Sequence, residues 1–111
     1  MYKAEVKGIQ YDIEAMRKGR EALLNEAQGM LTGMAAKLAR MQQQLKNYNT
    51  QIIPALRKNY QTLMLGYEEN REQLPIVIDG WEAMNMAQME YLNKMQEYYL
   101  MIVRYEKEIE K

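Results

Sequence analysis

The stretch IIPALRKNYQTLMLGYEENREQLPIVID, residues 52–79, decides the fold of this chain. Apolar residues recur at helical spacing before Tyr67 and again after Pro75, whereas residues 68–73 contain no apolar side chain. This pattern predicts that one long helix runs up to a polar tip and that a second helix returns from it. Asparagine tolerates the left-handed backbone of a helix end better than most residues, so we place the reversal at Asn70, with Pro75 in the first turn of the returning helix.

The composition indicates an all-α fold. The chain has 111 residues, of which 48% are apolar and 27% charged, but only 6 are glycine and 2 proline, too few turn formers for an all-β protein. We predict a long antiparallel coiled-coil hairpin. Its helices are expected at about 2–66 and 76–110 with a polar turn at 68–75, and the single unit 1–111 divides into a first arm (1–67), a tip (68–75) and a return arm (76–111).

The charged residues argue against several classes of partner. Fifteen basic and fifteen acidic residues alternate along both arms, so neither nucleic acid nor an anionic membrane surface is an expected partner. The sequence has no cysteine and no histidine, and it contains no phosphate-binding or cofactor motif, so we predict no enzyme, no cofactor and no metal site. No apolar run approaches the roughly 20 residues of a membrane-spanning helix, and the start lacks a secretory signal, so the chain as given is expected to be soluble.

The first arm carries a heptad seam of the kind that pairs helices in coiled coils. Its predicted members are Leu24, Ala27, Leu31, Met34, Leu38, Met41, Leu45, Tyr48 and Ile52, followed by Leu56, Leu63 and Tyr67. Pro54 lacks an N–H and crowds the preceding turn, so it should end or kink the helix. Because the apolar heptad pattern crosses this proline in phase, we predict one kinked helix.

The two arms are unequal in length. If the tip lies near Arg71, residues equidistant from it face each other, so that Leu45 faces Tyr98 and the return arm ends opposite about residue 32. At 1.5 Å per residue the first arm is about 95 Å long and the return arm about 50 Å. Residues 2–31 therefore lack a partner within the chain. Either they pair with another copy, or the sequence is a piece of a longer protein whose other parts cover them.

The return arm is apolar over a wide arc. One line contains Ile78, Met84, Ala87, Tyr91, Tyr98, Ile102, Tyr105 and Ile109, and beside it lie Trp81, Leu92, Met95 and Tyr99. One partner helix would not cover so broad a face, so we expect neighbours on two sides.

The intervals in the central stretch resemble those of a known family. Tyr48 precedes an Ile-Ile-Pro step that ends at Pro54, Tyr67 follows that proline by thirteen residues, and Asp79 follows Tyr67 by twelve. Together with MAQMEYLNKMQEYYLMIVRYEKEIE at 86–110, this spacing resembles the second periplasmic helical hairpin of TolC-like outer-membrane efflux proteins, over nearly all of the chain.

The resemblance implies a passive export conduit. Proteins of this family are trimeric outer-membrane channels that continue into the periplasm as a tunnel of coiled-coil helices, whose tips meet a periplasmic adaptor and an inner-membrane pump. The chain would be a soluble periplasmic fragment of such a homotrimer, without membrane contact of its own and oligomeric when isolated. The residues expected to contact the adaptor or to hold a closed aperture are Tyr67, Glu68, Glu69, Asn70, Arg71 and Glu72. Asn70 stands where the family has a tip glycine, and Glu72 where some members carry a basic or small residue.

Alternative interpretations stay open. The hairpin could instead be a free-standing coiled-coil interaction module. The eleven methionines suggest copper or silver, which one branch of the family exports, but Met34 and Met41 occupy seam positions, so core filling is the favoured explanation. Glu68 and Glu72 could bind a cation or act as an acid and base, yet a solvated turn explains them better because no histidine or cysteine accompanies them.

Overall fold

The chain is an all-α hairpin with two long arms. A computed structural model describes residues 2–111, so the first residue of the predicted first arm lies outside it. The helices are α1 (Tyr2–Asn47), α2 (Ile53–Glu68) and α3 (Leu74–Glu110), and a five-residue π-helical segment, the π segment (Tyr48–Ile52), joins α1 to α2. No strand occurs within the described residues, and the molecule measures 100 × 20 × 15 Å. The predicted fold class is confirmed.

The first arm is one continuous helical rod of 67 residues. Asn47 and Ile53, which flank the π segment, both have right-handed helical backbone angles. The Ile53 N–H donates to the carbonyl of Tyr48, five residues earlier, and Thr50 Oγ1 donates to the Lys46 carbonyl at 2.7 Å. Because Pro54 has no N–H and its ring crowds the turn before it, a widened turn at this place accommodates the proline without ending the helix.

The seam of the first arm changes phase in the π segment. Six predicted positions up to the first residue of the π segment are half-buried, namely Leu31, Met34, Leu38, Met41, Leu45 and Tyr48, whereas the predicted Leu24 and Ala27 are exposed. Downstream, Ile53 is buried at 7% exposure whereas the predicted Ile52 is 39% exposed. The inward step from Tyr48 to Ile53 is five residues long, so the prediction of an unbroken heptad phase was wrong. A π turn holds more residues than an α turn, and it takes up this extra residue while the seam keeps facing α3.

The rest of the seam follows the new phase. Leu56 and Leu63 are half-buried as predicted, and Tyr60 joins them, because it lies four residues beyond Leu56. Tyr67, predicted to be in the seam, is 41% exposed at the end of α2.

The inner face of α3 repeats in alternating steps of three and four residues. Its buried and half-buried members on this repeat are Val77, Gly80, Met84, Ala87, Tyr91, Lys94, Tyr98, Met101, Tyr105 and Glu108. Ile78 and Ile109 were predicted on this line, but they are 45% and 56% exposed. Because a coiled coil repeats every 3.5 residues, the residues one position before Ile78 and Ile109, namely Val77 and Glu108, face the first arm instead.

Two close pairs fix the register of the arms. Lys94 Nζ lies 5.9 Å from the centroid of the Tyr48 ring, and Leu63 packs directly against Gly80. Both pairs are equidistant from Arg71 to within one residue, in agreement with the predicted register. The return arm therefore ends opposite about residue 32.

The part of α1 beyond this end is uncovered. Tyr2 is 78% exposed, Met16 72% and Leu23 68%, whereas Leu31 is already half-buried. The predicted absence of an intrachain partner for the first thirty residues is thus a feature of the structure.

Gly80 allows a close contact between the arms. A Cβ atom built on it would lie 2.7 Å from Leu63 Cδ1, whereas one built on Gly33, in α1, would meet nothing within 4 Å. Gly80→Ala should therefore leave the hairpin less stable than Gly33→Ala by roughly 1 kcal/mol, since the Leu63 methyl group must shift to admit the new Cβ. Urea unfolding followed by circular dichroism at equal protein concentrations measures this difference, and equal stabilities of the two variants would contradict the close approach.

The π segment contains one residue more than a regular helix needs. Deleting Thr50 would place Tyr48 and Ile53 four residues apart, which restores the heptad spacing, whereas deleting Gln42 would shorten a step of the seam that is already regular. We expect the Thr50 deletion to melt at a higher temperature than the Gln42 deletion. Thermal unfolding monitored at 222 nm compares them, and the reverse order would show that the seam does not determine the π segment.

Candidate functional site at the hairpin tip

The reversal of the chain is a Schellman motif closed by Asn70. The Arg71 N–H donates to the Gly66 carbonyl at 2.7 Å, and the Asn70 N–H donates to the Tyr67 carbonyl at 3.0 Å. Asn70 has a φ of 61°, and it is the one non-glycine residue with a positive φ among residues 2–111. The predicted left-handed position is confirmed, and its two hydrogen bonds satisfy carbonyl groups that the end of a helix otherwise leaves without donors.

The turn is shorter than predicted. It covers residues 69–73 rather than 68–75, because the Schellman hydrogen bonds keep α2 helical through Glu68. α3 begins at Leu74, two residues earlier than predicted, and the extended backbone of Gln73 precedes it. Pro75 occupies the second position of α3, as expected for the first turn. An N–H group at this position has no acceptor within the helix, so the N–H that proline lacks is not missed.

Gly66 shapes the tip in a way that sequence reasoning missed. It is buried, and a Cβ atom built on it would lie 2.9 Å from Cγ of Glu72. The missing side chain thus lets Glu72 fold back onto the last turn of α2. A glycine inside a helix costs about 1 kcal/mol relative to alanine, so its position four residues before Asn70 is the signal that could have indicated a close contact.

The tip side chains offer charge and hydrogen-bonding groups on a rigid turn. Arg71 Nη2 pairs with Glu69 Oε2, and the two side chains are 67% and 49% exposed. Such an exposed pair stabilises the fold little, so these groups stay available to a partner. Tyr67 and Glu68 are also exposed, while Glu72 is half-buried. All six predicted tip residues lie together, with three carboxylates against one guanidinium.

The methionines divide into two groups. Met34, Met41, Met84 and Met101 are half-buried between the arms, as core filling requires. Met86 and Met89 are exposed and line an open depression together with Lys94. Glu90, Asn93 and Glu97 also line this depression, and the sequence has no cysteine or histidine that could join the two thioethers as soft ligands. Among residues 2–111, no group of three or more acidic side chains is arranged to hold a metal ion either.

No protein-family model, curated protein or solved structure matches this chain. Within the described part of the chain, none of the helices combines the length and the apolar character needed to cross a lipid bilayer. The resemblance to TolC-like proteins therefore stays a prediction drawn from residue intervals, and the site is defined by its geometry.

The left-handed position gives a direct test of the tip. Asn70→Gly should keep or raise stability, because glycine adopts this backbone without strain, whereas Asn70→Val should lower it by about 1–2 kcal/mol. Urea unfolding of both variants measures the two effects. If valine were tolerated as well as glycine, the turn would not depend on this residue.

Proposed function

We propose that this chain forms part of the periplasmic tunnel of a trimeric outer-membrane efflux channel of the TolC-like type. In this proposal the hairpin is one element of the tunnel wall and the tip faces a periplasmic adaptor and an inner-membrane pump. The observation that carries the proposal is the apolar surface that the hairpin leaves uncovered on both arms, which is what a helix packed between two neighbours requires.

The outer face of α3 supports this arrangement. Trp81 is 47% exposed, Leu92 61% and Tyr99 59%, although each directly follows a residue of the face that packs against the first arm. A surface helix of a monomer normally presents polar residues to solvent. Large exposed apolar residues that recur along one side of a helix are typical of a protein interface, so α3 has the character of a helix with a second neighbour.

The long first arm supports it as well. Residues 2–30 extend about 45 Å past the end of α3 and carry exposed apolar residues at helical spacing. In a tunnel wall, helices of the same protein and of its symmetry mates would cover this length. The tip would be the end farthest from the outer membrane.

The mechanism in this proposal is passive. Residues 67–72 would either contact the adaptor or hold the aperture closed through their charges and the Tyr67 hydroxyl. Opening would come from the hairpin re-packing against its neighbours, which the exposed Arg71–Glu69 pair opposes only weakly.

A free-standing coiled-coil interaction module is the second candidate. The balanced charge and the same uncovered faces fit such a module. The two functions differ in what surrounds the coding sequence: the tunnel requires an export signal and a first copy of the hairpin upstream. An open reading frame of 111 codons flanked by stop codons would contradict the tunnel.

The gating role is testable in the intact channel. Tyr67→Phe combined with Arg71→Ala removes the hydroxyl and the ion pair at the tip, so it should raise the conductance of the channel in planar bilayers. Arg17→Ala is the matched control, because Arg17 also forms an exposed ion pair, with Glu14 at 2.6 Å, but far from the tip. Unchanged conductance in the tip variant, or an equal rise in the control, would rule out the gating assignment.

A further inference from the structure

The uncovered half of α1 carries its own apolar stripe. The members are Tyr2, Val6, Ile9, Ile13, Met16, Arg20, Leu23 and Ala27, in alternating steps of four and three residues. All of them are exposed except Val6, which is half-buried. Ala27 lies one helical turn before Leu31, where the seam under α3 begins, so the stripe continues the face that α3 covers farther along the rod.

The position of α3 restricts how a second copy could cover this stripe. In a parallel pair, the second copy would run its own first arm along the face of this chain beyond residue 31. That face is already occupied by α3. In an antiparallel pair, the second copy runs along residues 27 to 2 and away from α3, so it does not meet the face that α3 covers. The end of α3 therefore selects the antiparallel direction.

The spacing of the stripe then selects a single register. The stripe is symmetric about the midpoint between residues 14 and 15. In an antiparallel pair, Val6 faces Leu23 of the second copy and Ile13 faces Met16 of the second copy. A shift of one heptad in one direction would drive the second copy into α3. A shift in the other direction would leave Leu23 and Ala27 bare.

The ends of the helices also fit in this register. Tyr2 of the second copy faces Ala27, and α3 ends opposite about residue 32, so the second copy begins where α3 stops. α3 and the α1 helix of the second copy both run antiparallel to α1. The C-terminus of α3 therefore lies next to the N-terminus of the second copy's α1. The helix dipoles are then aligned head to tail, and the acidic Glu110 approaches Lys3 of the second copy, both of which favour the junction.

We infer that residues 2–27 form an antiparallel, two-fold symmetric coiled coil with the same residues of a second copy of this chain. The first arm is then covered along its whole length, by α3 over its second half and by the second copy over its first. Arg20, which faces Ile9 of the second copy, is the weak point of this interface, because a guanidinium interrupts the apolar stripe. This inference is separate from the tunnel proposal, in which other helices would cover residues 2–27, and it is tested on the 111-residue chain alone.

Cysteine cross-linking tests the direction and the register together. The chain has no cysteine, so Val6→Cys and Leu23→Cys each introduce one defined thiol. A mixture of the two variants should form a disulfide-linked dimer on oxidation. Each variant alone should stay near background, because identical residues are 17 positions, or about 25 Å, apart along the antiparallel pair. Cross-linking of Val6→Cys with itself would show a parallel pair, and no cross-link in the mixture would equally overturn the inference.

The strength of the dimer gives an independent measurement. Arg20→Leu completes the apolar stripe at two symmetry-related places and should lower the dimer Kd by about tenfold or more in sedimentation equilibrium. Lys18→Leu is the matched control, because it adds the same side chain on the side of α1 that faces away from the second copy. Equal tightening by both variants, or a wild-type chain that stays monomeric with its first arm fully helical, would overturn the inference. Neither measurement uses channel conductance. A negative result in them would overturn the antiparallel pair and would leave the tunnel proposal untested.

Discussion

The heptad seam between the first arm and α3 is the constraint on which the rest of this structure depends. Only three apolar residues, Ile53, Val77 and Ala87, are buried to below a tenth of their surface within the described residues. The hairpin therefore has no globular core, and its arms are held by a narrow line of half-buried side chains. Every position on that line must keep facing its partner along the whole overlap of the arms. The π segment follows from this requirement, because it keeps the seam in place where the sequence supplies one extra residue.

The same narrow seam explains why the molecule presents so much apolar surface. A two-helix contact buries one stripe of each helix, and this chain has apolar residues on more than one stripe of α3 and along the uncovered half of α1. The proposed tunnel would give all of these stripes partners, whereas the antiparallel pair covers only the stripe on the first half of α1. The tip is different in kind. Its shape comes from backbone hydrogen bonds and from Gly66, against which Glu72 packs, while Glu68, Glu69 and Arg71 remain exposed.

Positions at which a residue type has one dominant local role could be predicted from the sequence. Asn70 and Pro75 were placed correctly because left-handed backbone and the first helical turn each favour few residue types. Where two neighbouring residues are equally apolar, the prediction of which one faces the interior was wrong. Ile52 and Ile53 are chemically identical, and a regular heptad count places Ile52 in the interior. In the structure the helix is widened beside Pro54, so Ile53 faces inward instead. The same ambiguity placed Ile78 in the interior instead of Val77.

The sequence by itself determined the class of this protein: an all-α hairpin of unequal arms, with its reversal at Asn70 and with balanced charge. Helical periodicity, the polar run and chain length are local properties, so they can be read without knowing which residues meet. Only the tertiary structure decided which side of each helix lies inside, and why Gly66 and Gly80 are glycines. Those answers depend on atoms of the opposite arm or of the turn, Leu63 against Gly80 and Glu72 against Gly66, which become neighbours only once the chain has folded back on itself.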